Sequence, residues 1–232
     1  MSTKFGSIKS GAQRQKRSHR PGRLLSLRGK HISASVLVKH LSGDSRVAAD
    51  STVNASLASA VPALPGRPGK MVLLIGLPAA GKSTISAAFE QAGWVRLNKD
   101  SLRKELYGDE SILGNAKEVT ALFYTRLQAA LIEGKNILVD NTNVIFLHRK
   151  GPIEAARACG YTSITNVFLN VPLEECLRRN SLRDRKVPEQ AMHDLSGMLN
   201  SQGGIPSRSE GRLVVLKPGT DPSDFYVDRV RL

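Results

Sequence analysis

The sequence is short of several things. Aromatic residues make up 5% of its 232 positions, with one tryptophan, which argues against an aromatic-rich β-sandwich and suits an aliphatic α/β core. Two cysteines, Cys159 and Cys176, are too few for a disulfide framework. Both fall in segments that read as helices, so a reducing compartment is expected. The longest apolar run, "MVLLIGLPAA" from Met71, is interrupted by Gly76 and Pro78. A helical bilayer span needs about 20 apolar residues, so no membrane partner is expected. Acidic residues are missing altogether before Asp44.

That last absence divides the chain. Residues 1–70 carry thirteen Lys or Arg against two Asp or Glu, and the remainder carries 21 against 18, within a net charge of +14. The leader therefore holds most of the field, and the rest is nearly balanced. The leader, 1–69, is rich in Ser, Gly and Arg. It closes on "VPALPGRPGK", whose prolines and glycines mark a linker ahead of a domain at 70–232. Three readings of it stand. It is a solvated disordered tail, a basic arm that binds nucleic acid by neutralising phosphates and releasing counterions, or an organelle transit peptide, a class rich in Arg and Ser and poor in acid. The first two go with a cytoplasmic protein, the third with an organelle. The apolar "LLSLRG" and "SASVLVKHL" have the makings of short helices. Nothing in the sequence sets the oligomeric state.

From Met71 the chain alternates in type. "MVLLI", "WVRL", "NILVD", "SITNVFLN" and "RLVVLK" read as strands, the first a continuous apolar run of the kind buried in parallel sheets. Between them lie helices. One is "KSTISAAFEQA", stopped at Gly93, and one runs from Ser101 with Asp100 or Asn98 as cap. A long one in "GNAKEVTALFYTRLQAALIEG" places Val119, Leu122, Phe123 and Leu127 at helical spacing. Others are "RKGPIEAARACG", starting near Pro152, "PLEECLRRNSL" and "PEQAMHDLSGMLN". The alternation predicts an α/β three-layer sandwich of about five mostly parallel strands with helices on both faces. Ligands of such folds sit at the carboxyl ends of the strands.

The residues Gly76-Leu77-Pro78-Ala79-Ala80-Gly81-Lys82-Ser83 fit GxxxxGK[ST], between an apolar strand and a helix. Such a turn aims backbone N–H groups inward, and the helix N-terminus adds partial positive charge. Lys82 supplies charge to β- and γ-phosphates, and Ser83, followed by Thr84, offers a hydroxyl to Mg²⁺. Nucleotide binding is the firmest expectation. "NKDS" after the second strand is not the guanine-reading NKxD of GTPases, because its Asp comes one place early and too early in the chain. At the end of that strand Asp100 is placed to take the proton of an attacking hydroxyl, and Arg103, one turn on, shares its helix face. The plainer alternative makes Asp100 a helix cap and Arg103 a surface charge. The third strand ends in Asp140, Asn141, Thr142 and Asn143, too polar for anything but a wet site or a loop. "LRRNSLRDRKVP", 177–188, holds five Lys or Arg. Arg179 and Arg183 are four apart and so on one helix face, as an arginine lid or as a basic helix end complementing its own dipole.

Together these residues resemble the polynucleotide 5′-hydroxyl kinase family, in the wider AAA_33 and zeta-toxin-like group of small P-loop kinases, over about residues 70–217. The matching stretches are "GLPAAGKST", "NKDSLR", "VDNTN" and "RRNSLR". The resemblance implies a P-loop NTPase sandwich with an arginine lid and an ATP- and Mg²⁺-dependent kinase whose acceptor is the 5′-OH of a nucleic acid. It implies that the loop from Gly76 through Pro78, Ala79, Ala80 and Gly81 to Lys82, Ser83 and Thr84 holds ATP, with Ser83 on the metal. Asp100 would be the general base and Arg103 the holder of an acceptor phosphate. Asp140, Asn141, Thr142 and Asn143 would shape the acceptor site. Arg183 would reach over the transferred phosphate, with Arg179 and Arg149 helping to hold ATP or the lid. The family often carries a phosphatase domain, and no DxDGT-like motif occurs here. Two other readings remain: a P-loop kinase of a small molecule (nucleoside, sugar, antibiotic or nucleotide-sugar), and a nucleotide-dependent binding module with little catalysis.

Overall fold

The computed structural model describes residues 22–43, 68–219, 221 and 224–232. Nine of the elements follow the alternation read from the sequence: β2 (Met71–Ile75), α3 (Lys82–Gln91), β3 (Val95–Leu97), α4 (Lys99–Tyr107), α5 (Ala116–Ile132), β4 (Ile137–Asp140), α6 (Phe146–Ala158), β5 (Ile164–Leu169) and β6 (Arg212–Pro218). Helices α7 (Leu173–Ser181) and α8 (Glu189–Asn200) stand between β5 and β6. Strands β3, β4, β2, β5 and β6 pair in parallel, in that order. Every residue of β2, β4 and β5 is buried, as continuous apolar strands covered on both faces should be.

The pleat sorts β2 between two cores. Val72 and Leu74 join one, with Ile85 and Phe89 of α3, Cys176 of α7 and Met192 of α8. Met71 and Leu73 join the other, with Leu102 of α4, Val119, Phe123 and Leu127 of α5 and Ile153 of α6. The result is three layers with helices on both faces. Among the described residues no helix is long and apolar enough to cross a membrane.

Three expectations need correction. First, residues 22–43 of the expected leader belong to the fold. They form α1 (Gly22–Leu25), β1 (His31–Ser33) and α2 (Ala34–Ser42), and bury Leu24, Leu27, Ile32, Leu37, Val38 and Leu41 in the first core. Burying one such side chain is worth roughly 1.5–3 kcal/mol, which outweighs the basic, Ser-rich composition that suggested a tail. The three readings of the leader can apply only to 1–21 and 44–67, which lie outside the described residues. Second, among the described residues the sheet has seven strands. β7 (Asp224–Arg231) returns antiparallel to β6, and β1 pairs antiparallel with β7. Phe225 and Val227 alternate inward, a period-2 signal too short to stand out against the surrounding charge. Third, α6 begins at Phe146 and carries Pro152 inside it, rather than starting near that proline.

Candidate functional site

The sheet register sets the site. Leu74 of β2 pairs with Asp140, and Leu97 of β3 pairs with Val139, so β2, β3 and β4 end at one level. The loop leaving β2 is tied to β4 by the Gly76 amide, which donates to the Thr142 carbonyl at 3.1 Å. A Cβ at Gly76 would lie 3.2 Å from the Leu169 carbonyl oxygen, at a φ of 156°, so only glycine passes there without strain. The chain then enters α3 with no acidic residue in its first turn, leaving the helix N-terminus open to an anion.

Lys82 folds its Nζ onto the loop, donating to the Gly76 and Leu77 carbonyls at 2.9 and 2.7 Å. Burial lowers its pKa from 10.5 to about 8, partly opposed by the nearby Asp140 carboxylate, while Arg183 pushes the same way as burial. Ser83 and Thr84 stand exposed in the first turn of α3.

Asn98, not Asp100, caps α4. Its Oδ1 accepts from the Ser101 amide at 2.9 Å, and its Nδ2 donates to the Asp140 carbonyl. The Lys99 amide donates to Asn141 Oδ1 at 3.0 Å. Capping being done elsewhere, Asp100 keeps its carboxylate 48% exposed and ion-paired with Arg103. The Nε of Arg103 is buried with no partner among the described residues. Arg185 approaches Asp100 at 4.0 Å and pairs with Glu110 at 2.8 Å.

The polar end of β4 is spent largely on holding strands together. Asp140 is 3% exposed, and its Oδ2 accepts from Arg96 Nε at 2.8 Å and pairs with Arg96 Nη2 at 2.7 Å. Asn143, at a left-handed φ of 49°, donates its amide to the Leu74 carbonyl at 2.7 Å. That locks β4 to β2 and leaves the side chain 2% exposed. All four line the cleft, and Asn143 is in addition a fastener between β4 and β2.

Arg149 also departs from expectation. It is fully buried, and its Nε donates to Glu210 Oε2 at 2.6 Å. Its Nη atoms donate to the carbonyls of Asn143, Gly203 and Gly204 at 2.7–3.1 Å. It therefore cannot hold ATP or the lid. Its reach from α6 to the segment before β6 is a buried fastening, and the polar stretch "LHRK" gave no hint of it.

Helix α7 ends at Ser181, so Arg183 lies past it, in the turn, and shares no helix face with Arg179. Arg179 pairs with Glu175 at 2.6 Å, as does Arg178 at 2.7 Å. Hydrogen bonds from Arg178 and then Arg179 hold the Glu175 carboxyl down to about 2. Among the described residues Arg183 has no ion-pair partner of its own, yet its charge is felt at Lys82. The turn is closed by Asn180, whose amide bridges the backbone of Val187 in both directions at 2.8 and 3.0 Å. Sequence reasoning missed Asn180, Arg96 and Arg185. Arg96 left a signal as a cation inside the short apolar run "WVRL", and Asn180 and Arg185 lay inside the basic stretch "LRRNSLRDRKVP".

These groups surround one cleft of about 1280 Å³, lined by Lys82, Ser83, Thr84, Arg96, Asp100, Arg103, Asp140, Arg179, Arg183 and Arg185 among others. That exceeds the ~300–1,000 Å³ of an ordinary single-ligand pocket and leaves room for a nucleotide and an acceptor together. Eight Lys or Arg against four Asp or Glu line it, a balance suited to polyanions. No cluster of three His, Cys, Asp or Glu able to hold a metal by itself occurs among the described residues. Mg²⁺ usually takes one or two protein oxygens and completes its shell with phosphates and water, so the exposed Ser83 hydroxyl beside the loop fits a metal that arrives with a nucleotide.

Comparison with known proteins bears on the family and the fold. A family model described as an AAA domain (AAA_33) matches residues 71–199. The L-seryl-tRNA(Sec) kinase of Methanococcus maripaludis is 26% identical over 145 residues, which cover 57% of this chain and 53% of that one. The chain thus matches about half the length of this curated relative. Among solved structures, a chain of the Pnkp1/Rnl/Hen1 RNA repair complex superposes with a TM-score of 0.51 at 21% identity, over 60% of this chain and 46% of that one. A gluconokinase from Sinorhizobium meliloti gives 0.45 at 16% identity, over 67% and 86%.

Proposed function

The chain belongs to the AAA_33 family of AAA domains, a P-loop kinase domain, and from that premise we propose that it is an ATP- and Mg²⁺-dependent phosphotransferase whose acceptor is the 5′-hydroxyl of a nucleic acid. One observation carries this reading: Asp100, relieved of capping by Asn98 and oriented by Arg103, stands in the same cleft as Lys82 and Arg183, which has no ion-pair partner among the described residues.

In the reaction the acceptor hydroxyl oxygen attacks the γ-phosphorus, its proton passes to the Asp100 carboxylate, and the bond to the ADP oxygen breaks. Negative charge spreads over the γ-oxygens, where Lys82 and Arg183 stabilise it, with Arg179 on the adjacent turn. Arg103, its Nε unpartnered, binds a phosphate of the acceptor. Mg²⁺, held through Ser83, supplies charge neutralisation on the nucleotide phosphates when bound.

The test is transfer from γ-labelled ATP to 5′-OH DNA and RNA oligonucleotides. Asp100→Ala is expected to lower kcat by roughly 10²–10⁴-fold with ATP binding intact. Normal turnover in that variant would remove Asp100 from the base role. The likeness to L-seryl-tRNA(Sec) kinase supports a second reading, in which the acceptor is a seryl hydroxyl carried on tRNA. Seryl-tRNA belongs in the same assay. Label there and not on free 5′ ends would favour it.

A further inference from the structure

One part of the cleft lining has no role in the reading above. It is made by Tyr124, His148 and Pro152. Tyr124 is 41% exposed and is propped edge-on by Phe123, with ring centroids 5.4 Å apart. Its hydroxyl lies over Gly151 so closely that a Cβ there would stand 2.0 Å from it. Helix α6 thus accepts Gly and Pro, the two poorest helix formers, side by side in its interior. The glycine opens the space that the tyrosine ring occupies, and the proline ring lines the cleft. A helix that breaks its local rules at one place is a mark of function.

The wall has a cationic foot. Lys99, 5.8 Å above the Phe123 ring and 3.3 Å from the Thr120 hydroxyl, stands next to Asp100. Burial first, and then the charges of Lys99 and Arg149, lower the pKa of His148, so that its ring presents an uncharged face at neutral pH. Exposed flat rings above a basic floor match single-stranded nucleic acid, whose bases stack while its phosphates are neutralised.

We propose that Tyr124, with His148 and Pro152 beside it, is a stacking platform for the base of the nucleotide that bears the acceptor hydroxyl. This rests on the nucleic-acid reading of the acceptor given above, and deepens it: the site holds the terminal base as well as the hydroxyl. Base identity matters little, since every base has a π-face.

The experiment compares the wild-type protein on a 5′-OH oligonucleotide and on the same oligonucleotide with an abasic 5′-terminal residue. The expected result is a KM for the abasic acceptor raised roughly 5- to 150-fold, the range of one lost stacking contact, with the KM for ATP unchanged. Tyr124→Ala is expected to raise the KM for the natural acceptor by a similar factor and to cost nothing further on the abasic one. Tyr124→Phe retains the natural KM, and Gly151→Ala, which displaces the ring, raises it. Equal KM values for the two acceptors in the wild-type protein would overturn the platform while leaving the kinase reading intact. So would a Tyr124→Ala loss as large on the abasic end as on the natural one. Absence of transfer to any oligonucleotide would overturn both.

Discussion

Replacing Arg149 by methionine separates a structural role from the nucleotide role that the sequence suggests. The guanidinium is fully buried and makes four hydrogen bonds: one to Glu210 and three to the carbonyls of Asn143, Gly203 and Gly204. Glu210, 3% exposed, would keep only the Ser207 amide, which donates to its Oε1 at 2.7 Å. Removing one partner of a buried pair costs about 3–5 kcal/mol, because the other charge stays buried and uncompensated. For a domain of this size each kcal/mol moves Tm by roughly 2–4 °C, so Arg149→Met should lower Tm by about 6–20 °C. Differential scanning fluorimetry reads this directly. The double variant Arg149→Met/Glu210→Gln should recover part of the loss, since the orphaned carboxylate is gone. Below its melting range the single variant should bind ATP like the wild-type protein. A Tm within about 2 °C of the wild-type value, together with lost ATP binding, would refute the reasoning and return Arg149 to the nucleotide site.

Three other outcomes follow from the same structure. The free protein's Lys82 titrates near 8, below its ordinary 10.5, and phosphates need its cation, so ATP affinity should fall as pH rises above 8. Because the unfolded chain holds that proton to higher pH, the Lys82 contribution to stability has the opposite sign and grows between pH 8 and 10.5. Equilibrium titrations with ATP from pH 7 to 9.5 would show the first effect, and a flat affinity would contradict it. Leu37→Ala, in the segment whose composition resembles a tail, should cost about 2–5 kcal/mol in a denaturant melt, whereas a change near zero would place α2 outside the cooperative fold.

Local chemistry was legible. A phosphate loop is eight consecutive residues, and its meaning does not depend on what folds against it. Continuous apolar runs told the parallel strands, and strand ends told where the cleft would lie. The cap of α4 was legible only as a choice between Asn98 and Asp100. The choice was made by the Asp140 carbonyl on a neighbouring strand, and with it the freedom of the Asp100 carboxylate.

Neighbouring residues alone therefore specify the nucleotide loop, the layered α/β order and the set of charged residues near the strand ends. The tertiary structure alone decided which of those charges are free. Arg149 and Glu210 are 61 positions apart, and Arg96 and Asp140 are 44 apart. No periodicity links such pairs; only the sheet register brings them together. The same holds for residues 22–43 and for β7, which are placed by packing and pairing at the edge of the sheet beyond β6. Burial turns an arginine that looks like a phosphate ligand into a fastener, and exposure leaves Asp100, Arg183 and Tyr124 facing the cleft. Exposure and burial are properties of the packed chain, so no reading of one segment at a time could have assigned them.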